Sequence, residues 1–170
     1  MKGNAIINKE AMDQYDHALG LLDTSIKELR LVAHNLLPES LFRYGLKQTF
    51  TDFCEVVGTT GLKVDFAFYG IEKRYDEKLE ITTYRIVQEL VNNVLKHAQA
   101  SEISVQVVSE EGRLSVTVLD NGIGMDIKTI EQSSGKGLAN IRSKVASFGG
   151  HFDLSSEHGK GTEANFEFQV

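Results

Sequence analysis

Apolar residues recur at steps of three and four, without a miss, from Met12 through Tyr15, Leu19, Leu22, Ile26, Leu29 and Ala33 to Leu36. So narrow a stripe predicts a helix with a heptad seam, which wants a partner helix rather than a broad globular core. Pro38, the one proline, stops or bends that helix, and Glu39 suits the first turn of the next one. Phe42, Leu46, Phe50, Phe53 and Val57 then predict a second helix closed by Gly58. Residues 62–68 read as a strand, and Asp76 as the cap of a long helix over 77–100 with the apolar stripe Val87, Leu90, Val91, Val94, Leu95 and Ala98. Residues 103–108 and 114–119 form a hairpin pattern, Leu138, Ile141, Val145 and Phe148 a last helix, and 152–155 and 164–168 two closing strands. Helices and local hairpins mixed in this way predict an α+β fold, a two-layer sandwich with helices covering one side of a sheet. The expected division is a helical arm over 1–37, a linker and first helix over 38–58, and a main domain over 59–170.

Composition changes this picture little. With 170 residues the chain can bury one proper core. A net charge of -6 and no Lys/Arg cluster argue against binding a nucleic-acid backbone. The lone Cys54 cannot form an intrachain disulfide, which suits a reducing compartment. No apolar run reaches membrane-spanning length and the first ten residues do not form a signal peptide, so the expectation is a cytoplasmic chain without membrane contact, any anchor lying in regions outside it.

Chemistry enters with "SVTVLDNGIGMD", where an apolar strand ends in Asp120 and in Gly122 and Gly124. Asn121-Gly122 is a good hairpin turn, but no alternating return strand comes after it. A calcium loop fails too, since glycines fill its third and fifth ligand positions. What remains is an acid at the mouth of a sheet beside backbone bare enough for a flat ligand. On the long helix, "QELVNNVLKHA" places Glu89, Asn93 and Lys96 within an arc of roughly sixty degrees opposite the apolar stripe. That arc is either a solvated polar face or a set of ligands; paired asparagines are mediocre helix formers, and an Asn oxygen can hold a hard cation while a Lys neutralises phosphate. "SSGKGLANI" and "GKGT" lack the spacing of a Walker loop, yet Gly137 opens a helix whose free N–H groups suit an anion.

"ELVNNVLKHA", "DNGIGMD" and "GKGLANI", in that order and followed by "GKGT", resemble the N, G1 and G2 boxes of the Bergerat nucleotide-binding fold, a mixed sheet covered by helices. That fold is shared by sensor histidine kinases, type II topoisomerases, heat-shock chaperones and mismatch-repair ATPases, and the resemblance covers residues 60–170. It implies ATP and Mg²⁺ as cofactors. Asp120 would accept a hydrogen bond from the adenine amino group, and Gly122 and Gly124 would let the purine approach and the lid depart. Asn93 would ligate Mg²⁺, Lys96 and His97 would contact the phosphates, and the backbone of Gly135, Lys136, Gly137 and Leu138 would close over them. Thr162 would help fix the adenine. Glu89 would polarise the phosphate acceptor or hold the metal shell. His151 and His158 are expected at the surface.

"ELRLVAHNLLPESLFRYGLKQTF" and the closing "SFGGHFDLSSEHGKGTEANFEF" are similar to the NarL-type and DesK-type branch of sensor histidine kinases. The resemblance implies an ATP-dependent kinase that dimerises through a four-helix bundle, phosphorylates a bundle histidine of the same or the partner subunit, and passes the phosphoryl group to a response regulator. Family members follow the acceptor histidine with an acid, whereas His17 precedes Ala18 and His34 precedes Asn35. The expectation is therefore a catalytic domain with the second bundle helix, lacking its own acceptor. Two other classes stand beside it: a related ATPase or anti-sigma-type serine kinase, and a non-catalytic nucleotide-binding or dimerisation module.

Overall fold

The computed structural model describes residues 12, 14–22, 25–26, 38–125 and 136–170. It divides into two units, Met1–Leu36 and Leu37–Val170. Within the first unit the described residues are helical, and Met12, Tyr15, Leu19, Leu22 and Ile26 of the heptad seam are exposed. Leu29, Ala33, His34 and Leu36 lie outside the described residues.

The second unit is built on strands β1 (Lys63–Gly70), β2 (Glu102–Glu110), β3 (Arg113–Asp120), β4 (His151–Glu157) and β5 (Gly161–Gln169). They form one mixed sheet in the order β1-β2-β3-β5-β4. β1 runs parallel to β2 because a helical crossover joins them, and every other pair is antiparallel. Alternation along the strands makes one face apolar: Ile103, Val105 and Val107, then Leu114, Val116 and Val118, then Ala164, Phe166 and Phe168 are all buried.

Helices α1 (Glu39–Tyr44), α2 (Leu46–Gly58), α3 (Glu77–Asn93) and α4 (Lys136–Ser147) complete the unit. Phe50 of α2 meets Phe66 and Tyr84, and Phe53 meets Tyr84 edge-on, so α2, α3 and β1 share one aromatic cluster. Beyond α4, Phe148 packs edge-on against Phe168. Asp76 caps α3 as expected, its carboxylate accepting from the Lys78 N–H at 3.0 Å.

Two expectations need correction. The helix predicted from Phe42 to Val57 is broken at Gly45, whose φ of +77° and ψ of -169° cannot continue a helix. The break turns Leu41 into the core, while Phe42 is left exposed. The long helix does not run uniformly to residue 100: its α-helical part ends at Asn93 and continues as a π-helical turn, Val94–Ala98, before Gln99 adopts φ +51°. Such turns occur often at functional sites, and this one lines a cavity at the end of the sheet.

Candidate functional site

Cross-strand register arranges the end of the sheet in rows, because directly paired residues point to the same face. One row is apolar, Val118 paired with Ala164 and Ala164 with Leu154. The next is polar, Asp120 paired with Thr162 and Thr162 with Ser156. Above these rows pass the last turn of α3 and the π turn. The space enclosed is a cavity of about 390 Å³ lined by Glu89, Leu90, Asn93, Val94, His97, Ala98, Val118, Asp120, Gly124, Met125, Gly137, Leu138, Leu154, Thr162 and Ala164.

Asp120 is 5% exposed although it carries a carboxylate. Its Oδ1 accepts the Gly122 N–H at 2.8 Å. Burial raises its pKa above the ordinary carboxylate value, and the backbone N–H groups of Gly122 and Thr162 oppose that shift by stabilising the anion. The segment after Asp120 is held in place on both sides. Asn121 Oδ1 accepts the N–H groups of Ser101 and Glu102, both at 3.0 Å, and the Ile123 N–H donates to the Ala98 carbonyl at 2.8 Å. This is why Asn121-Gly122 does not close a hairpin: the asparagine is spent on the loop between the π turn and β2. A side chain at Gly122 would collide with the Ala98 carbonyl, so the room this glycine makes is for the helix end. At Gly124, φ is +65° and a Cβ would strike the Glu157 carbonyl.

Of the residues expected from sequence, Glu89, Asn93, His97, Asp120, Gly124, Gly137, Leu138 and Thr162 come together in the cavity wall. Gly122 is buried beside it, and Lys96 is exposed and absent from the described wall. Gly135 and the Lys136 side chain lie outside the described residues, although Lys136 opens α4. A Cβ on Gly137 would stand 3.0 Å from Glu89 Oε1 and 4.0 Å from Asn93 Nδ2, which places both polar side chains beside the start of α4. The apolar pattern assigns Leu90, Val94 and Ala98 to packing alone, yet they roof the cavity, which lies between the apolar stripe and the sheet rather than opposite the stripe. Leu154, Ala164 and Val118 are wall residues that the motifs also miss; their signal is the strand alternation that turns all three to the helix-covered face.

Comparison with known proteins fits this arrangement. The family model described as the histidine kinase-, DNA gyrase B- and HSP90-like ATPase matches residues 78–170, the part that builds the cavity. The chain belongs to this family. As a histidine kinase-like ATPase domain it is 34% identical over 144 residues to the sensor histidine kinase MctS of Rhizobium johnstonii, covering 83% of this chain and 31% of MctS. It is 28% identical to the signal transduction histidine-protein kinase/phosphatase DegS of Brevibacillus brevis, covering 95% of this chain and 45% of DegS. The sensor histidine kinase ComP of Bacillus subtilis matches at 27% identity, over 85% of this chain and 19% of ComP. The chain thus spans less than half the length of these relatives. The histidine kinase domain of the Erythrobacter litoralis EL346 blue-light activated histidine kinase shares the fold, with a TM-score of 0.60 at 19% identity over 96% of this chain and 86% of that one. The catalytic domain of histidine kinase ThkA superposes at a TM-score of 0.57 and 17% identity, over 72% of this chain and 88% of that domain. Among the described residues no helix is long and apolar enough to cross a membrane.

Proposed function

We propose that this ATPase domain is the catalytic part of a cytoplasmic two-component sensor histidine kinase. It binds ATP and Mg²⁺ in the cavity, and the γ-phosphoryl group passes to a histidine on a bundle helix outside this chain and then to a response regulator. The heptad arm supplies the second helix of a homodimeric bundle. The observation that supports this best is a buried carboxylate, Asp120, at one end of a largely apolar slot that has an amide and a carboxylate, Asn93 and Glu89, beside the start of α4.

Each part has a physical role in that reading. Val118, Leu154 and Ala164 below and Leu90, Val94 and Ala98 above bury the faces of the purine, while Asp120 accepts a hydrogen bond from its amino group and Thr162 contacts the same edge. Asn93 offers a side-chain amide oxygen that would hold Mg²⁺; the ion would supply charge neutralisation on the triphosphate. His97 in the cavity wall contacts the phosphates, and free N–H groups at the start of α4, with Gly135, Lys136, Gly137 and Leu138, close over them. The assignment of Lys96 to the phosphates rests on the motif resemblance. Glu89 takes the imidazole proton as the acceptor nitrogen bonds to the γ-phosphorus and the bond to ADP breaks. Positioning and charge neutralisation supply most of such catalysis.

Incubation with a separate acceptor-helix protein and ATP labelled on the γ-phosphate tests the reading. Acid-labile phosphate on a histidine is the expected product. Acid-stable phosphoserine or release of inorganic phosphate alone points to the other enzymes of the fold, and tight ATP binding without transfer points to a non-catalytic module. Gly137→Ala probes the start of α4. Exchanging glycine for alanine in a first helical turn should raise stability by about 0.5 kcal/mol, whereas the new methyl group displaces Glu89 and should weaken ATP binding several-fold. A thermal melt and calorimetry on the same sample read the two effects, and a variant that gains or keeps affinity counts against the placement of the phosphates.

A further inference from the structure

Ser156 does not line the cavity, yet three hydrogen bonds converge on its hydroxyl. Oγ donates to the Gly161 carbonyl at 2.8 Å, accepts the Met125 N–H at 2.9 Å, and lies 3.0 Å from Thr162 Oγ1. A serine hydroxyl has one proton and two lone pairs. A carbonyl can only accept, so the single proton belongs to Gly161. A backbone N–H can only donate, so one lone pair belongs to Met125. The remaining lone pair takes the Thr162 proton, and Thr162 therefore turns its own lone pairs, not its proton, toward the cavity it lines.

We propose that Ser156 is a positioning residue for base recognition, holding the Thr162 hydroxyl as an acceptor and tying Met125 to the same point. Thr162 sits between Asp120 and Ser156 in one cross-strand row, so the polar end of the cavity presents two acceptors, the Asp120 carboxylate and the Thr162 oxygen. A 6-amino group, with its two protons, satisfies both acceptors, whereas a 6-carbonyl oxygen in its place meets lone pair against lone pair. Amino-purines are favoured over 6-oxo-purines as a consequence. Met125 follows directly on Gly124, so its bond also ties the junction between this segment and β4 to the same hydroxyl. Two further contacts hold this junction, the Gly159 N–H donating to the Ile123 carbonyl at 2.6 Å and Gly124 passing against the Glu157 carbonyl. The inference rests on the nucleotide-binding function proposed for the cavity and goes one step further, to what sets the polarity of the base site.

Calorimetric titration with ATP and with inosine triphosphate, the 6-oxo analogue, tests it. The unaltered chain should prefer ATP. Ser156→Ala frees the Thr162 proton to turn toward the base and should narrow the ATP-to-inosine ratio roughly tenfold, with ATP affinity falling and thermal melting still cooperative. Ser156→Thr keeps the hydroxyl and should restore the ratio. Thr162→Val should narrow the ratio by itself, and adding Ser156→Ala to it should change the ratio no further. An unchanged ratio in Ser156→Ala or in Thr162→Val overturns the proposal, as does an equal effect of Ser156→Ala in the Thr162→Val background. Should Ser156→Ala fail to fold, Ser156→Thr and Thr162→Val decide. If the unaltered chain binds neither nucleotide, the functional reading itself falls, an outcome distinct from binding with an unaltered ratio.

Discussion

Asp120→Asn is expected to abolish measurable ATP binding, a loss of at least about a hundredfold, while the chain stays folded. The side chain keeps its size, so the change is one of hydrogen-bonding character. One oxygen of the native carboxylate accepts the Gly122 N–H, and an asparagine oxygen can keep that bond. Its amide NH₂ is then turned toward the cavity, where it opposes the amino group of the purine donor against donor. Such a buried polar group left without its partner costs roughly 1–3 kcal/mol. The lost charge-assisted bond, about twice as strong as a neutral one, adds to that.

Retention of the fold is expected from the sign of the Asp120 shift. Burial raises its folded-state pKa above the unfolded value, so the native state binds a proton more tightly than the unfolded chain. In the window between the two values stability falls as pH rises, and above the folded value the penalty of an ionised buried group is present in full. Asparagine removes that penalty. It also weakens the bonds accepted from the Gly122 and Thr162 N–H groups, so the melting temperature at neutral pH should stay close to that of the parent, and calorimetry should show no heat of ATP binding. A variant that binds ATP normally removes Asp120 from the base site, and one that unfolds shows the carboxylate to be a structural group.

Much of the site was legible because its chemistry is written in local motifs. Asp120 stands at the end of an alternating strand, Gly124 needs a left-handed φ, and Thr162 follows the Gly161 turn; each leaves a mark on the sequence where it acts. Helix registers were legible to the same extent, as the cap at Asp76 shows. What escaped was whatever depended on where two elements meet. Leu90 and Val94 look like core residues because they are apolar on an apolar stripe, and only the gap between that stripe and the sheet makes them a roof. The π turn at Val94–Ala98 left no signature either, since its cause is tertiary: the Ala98 carbonyl is drawn to the Ile123 N–H and packs on Gly122. Ser156 was hidden for the same reason, its significance arising from a cross-strand neighbour rather than from its own surroundings in sequence. The break at Gly45 was missed because Phe42 and Leu46 keep helical spacing across it, and the glycine between them is stabilised by a residue far along the chain.

That residue is Arg74, and its replacement by alanine is expected to produce the largest stability loss of any single change proposed for this chain. Glu80 in the first turn of α3 is 1% exposed. The Arg74 guanidinium meets its carboxylate on both oxygens, Nε to Oε1 at 2.9 Å and Nη2 to Oε2 at 2.8 Å. The same group donates to the Phe42 and Leu41 carbonyls at 3.0 and 3.2 Å at the end of α1, filling the Phe42 acceptor and adding a second donor to Leu41. The Tyr75 N–H completes the shell of Glu80 at 3.0 Å. One planar cation thus fastens α1 to the start of α3, and Gly45 makes room for it, since a Cβ there would stand 2.9 Å from Arg74 Cδ. Removing the cation leaves a buried charge without its counter-ion, which costs about 3–5 kcal/mol when both partners are fully buried. The Arg74 side chain is 49% exposed, so water can reach part of the gap, and the expected loss is about 2–3 kcal/mol in urea unfolding. Adding Glu80→Gln to Arg74→Ala removes the stranded charge and should recover part of that loss, a coupling that a double-mutant cycle measures directly. Hydrogen exchange at the Gly45 N–H, which bonds to the Leu41 carbonyl at 3.1 Å, should quicken in Arg74→Ala more than exchange in the sheet core. A loss under about 0.5 kcal/mol, the range of ordinary surface changes, would mean that α1 is held by the burial of Leu41 alone and that the charged clasp contributes only alignment.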